Sequence, residues 1–133
     1  MIEPAGTIKI FVRKPLLPAI IISKNELIPC TDMQTLVVGL MKAEPEGLHI
    51  HVVDSAGAEF WFVPEQRILA PGFTFRKWTK IRLINLVNGS SNTKRLGVRC
   101  STKGLSNRRF AGVMELMIAL LISPAGRENE GRR

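Results

Sequence analysis

The apolar residues of this chain change period near residue 31, and that change limits the folds open to it. Thr7 to Arg13 alternates, with Ile8, Ile10 and Val12 on one face and Lys9, Phe11 and Arg13 on the other. Period two marks a half-buried strand, here ended by Lys14-Pro15. Ala19 to Ser23 carries Ile20-Ile21-Ile22, a β-branched run suited to a strand buried on both faces. Then Met33, Leu36, Val37, Leu40 and Met41 follow the i, i+3, i+4, i+7, i+8 stripe of an amphipathic helix. Thr31 and Gln34 offer a T-x-x-Q capping box at its start, and Pro45 closes it. Strands on both sides of an isolated helical stripe predict an α+β fold.

Leu48–Asp54 and Glu59–Glu65 read as strands joined by the turn Asp54-Ser55-Ala56-Gly57. Lys80–Val87 fits a strand, with Asn88-Gly89-Ser90-Ser91-Asn92 as a turn and Arg95–Ser101 as the returning strand. The segment 74–88 also fits a helix, because Trp78 and Ile81 stand three apart. Ser106 is placed to cap a last helix from Asn107 to Ile122, which Pro124 stops. The expected architecture is a small antiparallel sheet with two helices packed on it, in the order ββα-ββ-ββα. At 133 residues, 45% hydrophobic and 23% charged, the chain has the composition of a single globular domain. We expect that domain over residues 1–124, with 125–133 as a mobile polar tail.

The longest apolar run, Phe110–Ile122, is 13 positions long with Glu115 inside it, well short of the ~20 needed to cross a bilayer. No basic, apolar leader opens the sequence, so a cytoplasmic location is the expectation. Cys30 and Cys100 then read as reduced thiols.

Charge is unevenly distributed. Residues 1–75 hold six basic and eight acidic side chains, whereas 76–133 hold thirteen basic and three acidic, giving +8 overall. Two basic groups stand out. Arg76, Lys77, Lys80 and Arg82 surround Trp78, a mixture of ring and cation suited to a phosphate backbone and a stacked base. Lys103, Ser106, Arg108 and Arg109 gather at the start of the last helix, where the helix dipole disfavours cations unless an anion joins them. A third candidate is Phe60-Trp61-Phe62, an aromatic strand able to serve as a ligand or interface surface. His49 and His51, the only histidines, point to one face of a strand with Glu59 on the next, a weak metal pattern.

No Walker loop, dinucleotide fingerprint or nucleophile elbow occurs, so neither an enzyme nor a bound cofactor is expected. The sequence therefore predicts a non-enzymatic protein that binds nucleic acid or another polyanion through its basic second half. The alternative is an oligomeric module, most simply a homodimer, that binds a protein partner or a small apolar ligand on its aromatic sheet face.

Overall fold

The computed structural model describes residues 8–24, 26–72, 76–97, 100–101 and 107–122. The fold is α+β, as the changing period predicts. Six strands, β1 (Lys9–Ile10), β2 (Ala19–Ile22), β3 (Leu27–Cys30), β4 (Ile50–Val53), β5 (Glu59–Val63) and β6 (Ile68–Pro71), form one mixed sheet in the order β1-β6-β5-β4-β2-β3. Only β1 and β6 run parallel; the remaining pairs are antiparallel. Among the described residues four helices accompany it: α1 (Met33–Lys42), α2 (Lys80–Asn88), α3 (Ser91–Leu96) and α4 (Phe110–Leu121).

The helix packing makes two cores, one on each sheet face. On the first, Leu36 and Leu40 of α1 meet Ala19, Ile21, Ile50, Val52, Phe60, Phe62 and Leu69. α1 approaches closely because Gly39 faces the sheet; a Cβ there would stand 2.7 Å from Ile21 Cδ1. On the second, Leu83, Ile84 and Val87 of α2 and Val113, Met114, Met117 and Ile118 of α4 pack on Ile20, Leu27 and Val53. Ile20 and Ile21 are both fully buried, on opposite faces, as a run of three isoleucines requires.

Several local expectations are corrected. The box that starts α1 is Asp32 with Thr35: Asp32 accepts from the Thr35 N–H at 2.8 Å and Thr35 Oγ1 accepts from the Asp32 N–H at 3.1 Å. An aspartate one residue inside Thr31 is the stronger cap. The stripe is also narrower than its period implies, since Met41 is 39% exposed.

Strand pairing also differs. The alternation at Thr7–Arg13 yields only a two-residue strand, because Val12 takes a left-handed backbone (φ 72°) that no ladder accommodates. β3 and β6, four residues each, were too short for periodicity to reveal. Of the two alternatives for 74–88, the helix forms from Lys80. Thr79 caps α2 by accepting from the Arg82 N–H at 3.1 Å. Ile81 points outward, 56% exposed, and this is what blurred the stripe of Leu83, Ile84 and Val87.

The expected turn at 88–92 and the start of the return strand at Arg95 give way to α3, while residues 98–99 of that strand lie outside the described residues. Ser90 caps it, buried Thr93 bonds back to the Val87 carbonyl at 2.7 Å, and Gly97 ends it at φ 71°. The Asn92 side-chain amide binds both backbone groups of Leu27, accepting from its N–H at 2.8 Å and donating to its carbonyl at 3.1 Å.

Candidate functional site

α1 covers one sheet face, and strand alternation sends every second residue of β4 and β5 to the other. The register pairs His51 with Trp61 and Val53 with Glu59, so His51, Trp61 and Glu59 share the face opposite α1. Phe60 and Phe62, sequence candidates for a ligand surface, lie instead fully in the α1 core. Of that trio, Trp61 alone stands on the other face.

Glu59 is the centre of the arrangement. Its Oε2 accepts from His51 Nδ1 at 2.8 Å and from the indole N–H of Trp61 at 2.7 Å. Its Oε1 accepts from the indole N–H of Trp78 at 3.0 Å. The Glu59 side chain is 7% exposed, that of His51 41%. Burial pushes the carboxyl pKa up, but the hydrogen bonds from Trp61, Trp78 and His51 outweigh it and hold the group below its ordinary 4.5. A buried carboxylate with three donors is thus kept ionised, and it holds His51 with Nδ1 as the donor.

The surrounding rings are closely set. His49 lies over Trp61 with centroids 4.7 Å apart, and the His49 and His51 rings are 6.4 Å apart, edge to face. Gly72 lets the Trp61 indole lie against the backbone, since a Cβ there would stand 2.5 Å from its Nε1. Gly57, at φ 80°, closes the Asp54–Gly57 turn and accepts from the Trp78 N–H at 2.8 Å. Buried Asp54 secures that turn by accepting from the N–H groups of Leu16, Ala56 and Ala58.

Trp78 is itself buried, 8% exposed, with the Arg82 guanidinium 3.8 Å from its ring centre. Its N–H and one ring face are therefore engaged internally, so it is a support for Arg82 rather than an open surface for a base. Arg76, Lys77 and Arg82 are exposed around it. Lys80 Nζ donates to the Arg108 carbonyl at 2.9 Å, so the starts of α2 and α4 are neighbours. Lys80 of the first basic group thus meets Arg108 of the second, 28 residues away in sequence. Arg109 caps α4 without a side-chain bond, and Arg108 and Arg109 precede the helix instead of filling its first turn. Both helices lack an acidic residue in their first turns. Lys103 and Ser106 lie outside the described residues.

The residue pattern points to Glu59 as a third metal ligand or as one of the carboxylates Asp54, Glu59 and Glu65 for acid–base work. Among the described residues no three or more His, Cys, Asp or Glu side chains gather to hold a metal ion. The signal for its real position was the H-x-H leading into β4, which faces the E-x-W of β5 across the Asp54–Gly57 turn. Cys30 and Cys100 are both free. Burial, then the nearby Asp32 charge, pushes the Cys30 thiol up to about 12. No helix among the described residues is long and apolar enough to cross a membrane. Compared with protein-family models, curated proteins and solved structures, the chain matches none.

Proposed function

We propose that the protein binds single-stranded nucleic acid, or a polyanion of similar charge, across the sheet face that carries Trp61 and the joined starts of α2 and α4. The observation that carries this reading is the Lys80–Arg108 contact, which joins the cationic starts of α2 and α4, with Arg82 on Trp78 and Trp78 tied through Glu59 to Trp61 of the ring cluster. Cations beside planar side chains are what a flexible phosphate backbone with unstacked bases requires. Glu59 links the two parts through Trp61 and Trp78, so ring surface and cationic rim are held in one geometry.

Salt dependence tests it. Each phosphate neutralised on a single strand contributes about 0.7 to the slope of log K against log salt. Arg108→Ala with Arg109→Ala should lower that slope by about 1.4, whereas Arg132→Ala with Arg133→Ala should change it much less. Equal effects from the two pairs, or no binding of a single-stranded oligonucleotide near physiological salt, would refute the reading.

The outward side of α4 favours self-association as a second reading. Its inner residues pack in the core, but Ala111, Ala119, Leu116 at 45% and Ile122 at 38% are exposed, with Glu115 the sole charge among them. An apolar face of this kind suits a twofold helix contact. Leu116→Glu should turn a dimer into a monomer by light scattering; a wild-type monomer at tens of micromolar refutes it.

A further inference from the structure

We infer that the His51–His49 pair cleaves the RNA it holds, by general acid–base transfer at the phosphodiester. This rests on the nucleic-acid reading above and adds a reaction to it. The buried Glu59 carboxylate takes Nδ1 of His51, and no described group bonds the opposite nitrogen, Nε2. A carboxylate fixed on Nδ1 leaves Nε2 of the neutral ring as the proton acceptor, the arrangement by which carboxylate–histidine pairs act as general bases. Glu59 is in turn immobilised by two indole N–H groups, so its orientation is set before any ligand arrives.

A base alone needs a nucleophile. We assign that nucleophile to the substrate. RNA carries one beside every phosphate. His49 sets a second imidazole beside the base, its ring centre 6.4 Å from that of His51 and edge to face. In the step, His51 Nε2 takes the proton of the 2′-hydroxyl and its oxygen bonds to the adjacent phosphorus. The P–O5′ bond breaks, and protonated His49 gives its proton to the departing O5′. The products are a 2′,3′-cyclic phosphate and a 5′-hydroxyl. The two histidines exchange protonation states and are reset by solvent.

The test uses the full chain with a short fluorescent single-stranded RNA and its 2′-O-methyl counterpart, which binds but lacks the nucleophile. We expect cyclic-phosphate ends from the RNA and none from the counterpart. At saturating RNA, His51→Ala and His49→Ala should each lower turnover about 100-fold or more. Glu59 is a positioning residue for the base, so Glu59→Gln should lower kcat by a larger factor than it raises KM, its folding verified by thermal melt. Binding of the 2′-O-methyl strand without cleavage of the RNA overturns this inference and leaves the binding reading standing. Cleavage that survives His51→Ala also overturns it, since the activity then has another source. Failure to bind either strand overturns both.

Discussion

Glu59→Gln is the most informative single substitution, because it preserves shape while inverting half of the hydrogen-bond logic. With the amide oxygen in the Oε2 position, Trp61 and His51 keep an acceptor, but the new NH2 meets the indole N–H of Trp78, donor against donor. The opposite orientation satisfies Trp78 and abandons Trp61. Bonds to a charged acceptor are worth about 1 kcal/mol more than neutral ones, so two weakened bonds cost about 2 kcal/mol. A stranded donor costs about 1–3 kcal/mol more, and Trp78 is too buried for water to replace the lost acceptor easily. Relief from burying a charge offsets part of this, leaving a net loss of about 2–3 kcal/mol. The sign of its pH dependence follows from the lowered carboxyl pKa. The native group contributes stability that is fully present above its unfolded value of about 4.5 and is lost as pH falls through the lower folded value. Urea unfolding followed by tryptophan fluorescence should therefore show a gap near neutral pH that narrows as pH falls through the lowered folded value. Coincident transitions near neutrality, or a gap that persists undiminished in acid, would refute the account of Glu59 as an ionised hub.

Leu36→Ala or Leu40→Ala should each cost about 2–5 kcal/mol in the same assay, since both side chains are essentially fully buried; losses under about 0.5 kcal/mol would mean that α1 is not core-packed. Gly72→Ala should displace Trp61, with an altered tryptophan emission and a loss of about 1–3 kcal/mol, given the 2.5 Å approach its Cβ would make; an unchanged spectrum would contradict that contact. Cys30, buried and with its thiol pushed up to about 12, should resist alkylation in the native protein at mildly alkaline pH and react fully in urea; rapid native labelling would show the site to be open. Asp54→Ala should destabilise the chain by about 2–4 kcal/mol, because three backbone N–H groups lose their acceptor; a loss under about 0.5 kcal/mol would show that water replaces it.

How much of this was legible in the residues depended on distance along the chain. The α1 stripe and the Asp54–Gly57 turn are local, and both formed where expected. α2 was ambiguous because outward Ile81 adds an apolar residue to the polar face. Asn88–Asn92 misled because the same residue types favour a hairpin turn and a helix cap; Ser90 and Thr93 choose the cap once Thr93 finds the Val87 carbonyl. The cations around Trp78 were visible, but their support was not. The bond from Trp78 to Glu59 spans 19 residues, and no periodicity encodes it. Likewise, Lys80 meeting Arg108 depends on how two helices cross the same sheet, a tertiary fact.

The amide of Asn92 on Leu27 has a consequence for life in a crowded solution. In β3 the outward-facing backbone positions are Leu27 and Pro29, as their non-bonded pairing with Ile22 and Ile20 requires. Asn92 takes the N–H of Leu27, and proline has none to offer. This margin of the sheet therefore presents no N–H along which a neighbouring molecule's strand could zip, the route by which exposed margins seed fibrils. Asn92→Ala would uncover a single donor and acceptor at Leu27 without touching the core. Such a variant should remain folded yet bind thioflavin sooner than the parent on prolonged shaking, with Pro29 still limiting how far the added strand can run.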